Sequence, residues 1–262
     1  MGFYDLAKEE RVKLVEQINK QILSGIEKGK AAVLINYFSD EDTYIRKTAY
    51  LAIGKIYNLH KSLQVKIIST LTELLKEEDA KIRQTCINTA GEIGMKDFKT
   101  VEWFFDTGLF DAHHSVRNAV IGSVKKMSEK NPKPVLVWAK KYLHHTDKEV
   151  RREICHGIEL RGRTHPQDIL PLLKELQHDK TARVRNTLIH VIGQIAYKKG
   201  CLEIVIADLN TWDDKELTDA AIDEIVDVHD RYKDFAILTQ QQAISYIDTH
   251  YKPKNNLLTK AK

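Results

Sequence analysis

A pair of residues, Val or Ile followed by Arg, returns along this chain at Ile45-Arg46, Ile82-Arg83, Val116-Arg117, Val150-Arg151 and Val184-Arg185. The arginines are 37, 34, 34 and 34 residues apart, and a degenerate copy follows 33 residues later at Leu217-Thr218. An aspartate stands four or six residues before each pair's second member, at Asp42, Asp79, Asp111, Asp147, Asp179 and Asp214. A unit this short cannot bury an apolar face by itself, so a chain built from it must stack its copies. That requirement limits the possible folds more than any other feature of the sequence.

Each copy divides into two helical patterns, clearest in 147–199. A first helix is expected at His165–Gln177, with Ile169, Leu170, Leu172, Leu173 and Leu176 on one side. Pro166 lies near its start, where a missing N–H leaves no bond unmade. Asp179–Thr181 form the turn and supply a cap. The second helix, Ala182–Tyr197, turns Val184, Leu188, Val191, Ile192 and Ile195 inward. Eight residues after the arginine three copies carry glycine, at Gly54, Gly91 and Gly193. A small residue there lets helices approach closely, which explains tolerance of a propensity cost of about 1 kcal/mol. The expected fold is all-α: a right-handed α-solenoid of about six HEAT- or armadillo-like helix pairs. Helices at 11–26 and 235–251 cap it, making 1–251 a single domain, and 252–262 a flexible tail.

Composition agrees with this. Only 5 prolines and 12 glycines are present, too few for a β protein rich in tight turns. The N-terminal stretch lacks the apolar core of a secretion signal, and Leu6 breaks a myristoylation pattern. No apolar run approaches membrane-spanning length. Cys86, Cys155 and Cys201 show no CxxC spacing, which fits a reducing cytoplasm. Charge is uneven. Residues 1–112 are net −1, 113–200 carry 18 basic against 8 acidic side chains, and 201–262 are net −5. Eight of the eleven histidines fall in the basic third. A local excess of this kind points to an anionic partner.

Residues that depart from the repeat are the candidates for function. Arg152, His156, Glu159 and Arg163 follow at intervals of four, three and four, along one helix face if the helix continues that far. Their equivalents one repeat later are Asn186, His190, Gly193 and Tyr197, and one repeat earlier Asn118, Gly122, Lys125 and Glu129. Since second helices line the concave side of a solenoid, these rows are expected to form a basic groove, with Glu159 as its one inserted carboxylate. Candidate contacts to an anionic partner are Lys125, Arg152, His156, Arg161, Arg163, His190, Lys198 and Lys199. The alternative is a solvated face with local charge pairs. Trp103 and Trp138 are candidate aromatic platforms and, with Trp212, are placed in first helices; core packing is the competing role. The pairs His113-His114 and His144-His145 lack ligand spacing, so no metal site is expected, and no phosphate loop, nucleophile elbow or cofactor fingerprint occurs.

The whole chain resembles HEAT-repeat proteins, in which turn aspartates and helix arginines form a ladder between repeats. The same part for Arg46, Arg83, Arg117, Arg151 and Arg185 follows from that resemblance. Within 138–196 the chain is similar to the HEAT-like-repeat DNA alkylation repair family. It carries Trp138, Asp147, Val150-Arg151-Arg152, Gly157 with Arg161, Ile169-Leu170-Pro171-Leu172-Leu173, and Asp179 with Val184-Arg185. The resemblance implies duplex DNA in a basic concave channel. In the active glycosylases of that family, a carboxylate and aromatics surround a cationic alkylated purine and stabilise the charge formed as its bond breaks. Glu159 and Asp106, with Trp103, would take those parts here. The sequence departs from one branch, since Phe-Phe-Asp106-Thr-Gly follows Trp103, and from another, where His156 replaces an acid. The reading that results is a non-enzymatic duplex-DNA binder without cofactor. The alternatives are an alkylpurine DNA glycosylase and a protein-interaction scaffold, for which the acidic last third would matter equally.

Overall fold

The computed structural model describes residues 2–253, and every described regular element is helical. Most of the tail expected to be flexible, 254–262, lies outside the described residues. In chain order the α-helices are α1 (Lys8–Lys28), α2 (Ala31–Phe38), α3 (Thr43–Leu59), α4 (Gln64–Leu74), α5 (Ala80–Gly94), α6 (Phe98–Gly108), α7 (His114–Lys130) and α8 (Pro132–Lys140). They continue with α9 (Lys148–Gly157), α10 (Glu159–Gly162), α11 (Pro166–Lys174), α12 (Ala182–Ala196), α13 (Leu202–Leu209), α14 (Lys215–Arg231) and α15 (Gln240–His250). Between α1 and α15 they form six pairs, each a shorter first helix and a second helix bearing the repeated Val/Ile-Arg position. This is the HEAT/armadillo-like helical repeat that the period requires.

The chain divides into two compact units, the first ending at Pro134 and the second beginning at Val135. In the first, α3 packs against α1 and α5, and α5 against α7, with α2, α4 and α6 on their flanks. In the second, α12 packs between α9 and α14, α11 lies against α10 and α13, and α15 closes on α13 and α14. Each core is the apolar stripe of its helices. Ile169, Leu170, Leu173, Val184, Leu188, Val191, Ile192 and Ile195 are all buried, as helical spacing predicts.

Three of the arginines, Arg83, Arg151 and Arg185, tie successive repeats together. Arg83 Nη1 donates to the carbonyls of Glu77 and Glu78, both at 2.8 Å, closing its own turn. Its Nε reaches Asp111 of the next repeat at 2.7 Å. Arg151 does the same with His145, Thr146 and Asp179, the last at 2.6 Å. Arg185 donates to Gln177 O and to Asp214 at 2.6 Å. Arg46 and Arg117 also close their turns, on Asp40 and Glu41 and on Asp111 and Ala112. The planar fork lets one side chain serve two turns at once.

The six aspartates divide by position. Those four residues before the arginine, Asp42, Asp79 and Asp147, cap the following helix by accepting from Tyr44, Lys81 and Glu149 N–H. Those six residues before it, Asp111 and Asp179, receive the preceding repeat's arginine. Asp214 does both, accepting from Leu217 N–H and from Arg185.

The repeat glycines are sites of close approach. A Cβ on Gly54 would stand 2.6 Å from Glu92 Cβ, and one on Gly193 2.6 Å from Glu224 Cγ. Several boundaries differ from expectation. The N-terminal helix runs longer, Lys8–Lys28, and the C-terminal one starts later, at Gln240. The first helix of the best copy stops at Lys174 and its partner at Ala196. Trp212 lies in the turn after α13, donating its indole N–H to Asp208 at 2.7 Å, and not inside a first helix.

Candidate binding site on the second helices of the second unit

In the fourth repeat the second helix is interrupted. Helix α9 ends at Gly157, Ile158 forms a turn with φ −91° and ψ −4°, and α10 begins at Glu159. Three sister copies reach this level with glycine, Gly54, Gly91 and Gly193, which admits the neighbouring helix. Here a carboxylate arrives instead, and the helix breaks one residue before it. Because Ile158 keeps near-helical dihedrals, its N–H still bonds Ile154 O at 3.2 Å and the expected face persists through the break.

On that face Glu159 is 2% exposed. Its Oε1 accepts from Arg163 Nη2 at 2.5 Å, and its Oε2 lies 3.2 Å from His156 Nε2. Arg163 Nη2 also donates to Gln194 Oε1 at 2.9 Å, tying α12 to the loop after α10. One repeat on, His190 stands beside His156 with ring centroids 6.1 Å apart in an edge-on arrangement. His190 Nδ1 faces Glu224 Oε1 of α14 at 3.6 Å. The nearest ligand-capable atoms of His156, Glu159 and His190 all lie within 4.8 Å of one another. A search by local spacing finds no such group, because it spans two repeats.

Above this cluster an open pocket of about 440 Å³ is lined by Arg152, His156, Arg183, Asn186, Thr187 and His190. Helix α12 supplies Arg183, Asn186, Thr187 and His190 at the three- and four-residue intervals of one face. Arg183 and Thr187 were not among the expected site residues, although this periodicity counted backward from His190 marks them. Glu224 was also missed, since only packing of α14 on α12 brings it to His190.

The structure brings Arg152, His156, Glu159, Arg163 and His190 together in one place, but it also pairs the arginines. Arg152 Nε donates to Glu149 at 2.9 Å, and its Nη2 is 3.5 Å from Glu153. Arg183 Nη1 is 3.2 Å from the same Glu149. Arg161 is turned away to Asp168 across the α10–α11 turn, with Nε–Oδ2 at 2.7 Å, and so acts as a structural clamp. Arg152, Arg163 and Arg183 are therefore paired with Glu149, Glu153 and Glu159. The expected basic row is, in this unit, a face of mixed charge. Lys198 lays its ammonium over the Tyr197 ring at 4.3 Å, while Lys199 is exposed beyond the end of α12.

The remaining expected residues lie elsewhere. Lys125 and Asp106 are half-buried in α7 and α6 of the first unit. Trp103 is 37% exposed on α6, its ring 4.0 Å from that of Phe104. Trp138 is fully buried, which removes it as an aromatic platform: an indole in the core has no face to offer a base.

Comparison with known proteins finds partial likenesses. The family described as non-SMC mitotic condensation complex subunit 1 matches residues 31–109, less than a third of the chain. No curated protein matches it. Among solved structures, one of crescerin, which uses a TOG domain array to regulate microtubules in the primary cilium, is 18% identical with a TM-score of 0.48. That likeness covers 73% of this chain and 87% of the chain in that structure. A HEAT-like repeat protein from Thermococcus onnurineus is 14% identical (TM-score 0.40, 84% and 98% covered). A computationally designed armadillo repeat protein for modular peptide recognition is 15% identical (TM-score 0.34, 79% and 98% covered). The chain is a HEAT-like helical-repeat scaffold, as its own 34-residue period and paired helices define.

Proposed function

We propose that this chain is a non-enzymatic HEAT-repeat scaffold that binds a protein partner over the α9–α12 face around Arg152, Arg183, Asn186 and Thr187. The observation that carries this reading is the pairing of the cations there. Duplex DNA gains affinity by releasing counterions as free lysines and arginines meet phosphates. A face whose arginines already have Glu149, Glu153 and Glu159 beside them has little such charge to give. Alternating arginine and glutamate around an open polar pocket suits a polypeptide surface carrying both signs, where complementarity selects the partner. Arg183 is 62% exposed, and exposed ion pairs contribute only about 0–1 kcal/mol, so it can exchange Glu149 for a partner's carboxylate at small cost.

Duplex DNA remains the competing ligand on the strength of the basic excess in 113–200. The glycosylase alternative would require Glu159 to leave Arg163 and meet a base from a 2%-exposed position. The deciding experiment compares wild type with the Arg183→Glu/Thr187→Glu double variant in two assays. A nuclease-treated pull-down is expected to recover a partner with wild type and lose it with the variant. Anisotropy of a labelled duplex at low salt is expected to show weak binding, equal for both proteins. Tight duplex binding that falls steeply with salt and is lost in the variant would make this a DNA-binding face instead.

A further inference from the structure

The geometry points to a divalent transition-metal site, best suited to Zn²⁺, formed by His156, Glu159 and His190. It goes beyond the scaffold reading and does not depend on it. Two imidazoles and a carboxylate form a ligand set that zinc accepts, with nitrogen and oxygen donors at about 2.0–2.2 Å. Two donors on one tetrahedral zinc therefore stand about 3.3 Å apart. His156 Nε2 and Glu159 Oε2 are at 3.2 Å, and the whole triad lies within 4.8 Å, so side-chain movement of about 1.5 Å closes it.

The repeat explains why these groups converge. Positions 156 and 190 are one period apart, so neighbouring second helices present them in the same register, and Glu159 follows His156 by one turn. The sister copy one repeat earlier has Gly122 and Lys125 at the levels of His156 and Glu159, and the copy one repeat later has Gly193 at the level of Glu159. The triad therefore belongs to this pair of repeats and is not a general property of the scaffold.

The surroundings also resemble those of a metal centre. Metal-bound carboxylates and imidazoles are held by outer groups that fix their orientation and tune their basicity. Glu159 Oε1 accepts from Arg163, which fixes the carboxylate, and an ion bound at Oε2 would replace the present approach of His156 Nε2. Glu224 Oε1 stands 3.6 Å from His190 Nδ1, too far for a hydrogen bond but close enough to act on the ring as an outer charge, and it also faces Arg231 Nη2 at 3.4 Å. The pocket over His156 and His190 leaves room for water as the fourth ligand, in the open arrangement of three-ligand zinc sites.

The test is titration of the full, chelator-treated chain with Zn²⁺ by calorimetry, with circular dichroism to verify each variant's fold. One ion per chain is expected. His156→Gln, His190→Gln and Glu159→Gln should each weaken binding at least tenfold, and Glu224→Gln about 10–100-fold as an outer-shell change. A His144→Gln/His145→Gln control should bind as wild type does. Independently of any variant, anomalous scattering from zinc-soaked wild-type crystals should place the ion between His156 and His190. If wild type takes up no stoichiometric zinc, or the His156 and His190 variants bind it unchanged, or the anomalous peak lies at other histidines, the cluster is only an ion network joining α9, α10 and α12.

Discussion

At the level of single residues, the repeated arginine and the departures from it follow opposite logics. Arg151 is largely buried, closes its own turn on two carbonyls and reaches Asp179 of the next repeat. Removing it strands an aspartate beside a buried turn. Arg151→Ala is expected to lower stability by about 2–3 kcal/mol, read from denaturant midpoints at constant m. Arg46→Ala, which loses bonds within its own turn, should cost about 1 kcal/mol. Equal losses would mean that the inter-repeat bond contributes little. The arginines' importance was legible from recurrence alone. Glu159 stood out for the reverse reason, as the residue that broke a glycine pattern, but its burial against Arg163 could not be read from spacing.

At the level of elements, glycine has two meanings in these helices and the sequence does not separate them. Gly54 faces α5, where an added Cβ would fall 2.6 Å from Glu92 Cβ, a backbone-proximal atom that cannot swing aside. Gly122 lies on the exposed side of α7 with nothing within 4 Å of such a Cβ. Alanine favours a helix interior over glycine by about 1 kcal/mol, so Gly122→Ala should raise the melting temperature. Gly54→Ala should lower it, because α3 and α5 must separate. Two shifts of the same sign would show that helix propensity, not packing, governs both positions. The interruption between α9 and α10 belongs to this scale too. The apolar positions Val150, Ile154 and Ile158 predict an unbroken helix, and their burial is as expected. The helix breaks just before Glu159, whereas α7 runs unbroken through Lys125 at the same level, so a large side chain there does not by itself end a helix.

At the level of the whole molecule, the aspartates link stability to pH. Burial raises the carboxyls of Asp111 and Asp179, but hydrogen bonds from Arg83 and Arg151, together with backbone N–H groups, outweigh it and hold both below the ordinary range. At Asp214 the Arg185 bond is the largest influence and acts in the same direction. A carboxyl with its folded pKa depressed contributes stability that is fully present above its unfolded pKa of about 3.9. That contribution is lost as pH falls through the folded value. Thermal stability should therefore hold steady above about pH 5 and fall progressively below about pH 4. Asp179→Asn should flatten part of the decline in a melting series across that range, and an unchanged slope would exclude this aspartate as a source.

The sequence by itself determined the architecture. A 34-residue period, helical spacing of apolar residues and one arginine per copy admit only stacked helix pairs, because each copy must bury its face on the next. It also marked the second helices of the fourth and fifth repeats as unusual. The tertiary structure decided what that difference means. Arg152 and Arg163 meet glutamates one to four residues away in their own stretch of chain, so the local charge pairs that the sequence offers as an alternative turn the expected basic row into a mixed-charge face; packing adds Arg183 of α12 beside Glu149. Packing also sends Trp138 into the core and brings the ligand-capable atoms of His156, Glu159 and His190 within 4.8 Å of one another. Charge counts along a chain sum over neighbours in sequence, whereas electrostatics and coordination act between neighbours in space, and in a repeat protein some of those, as Arg183 beside Glu149 and His190 beside His156, lie a full period away.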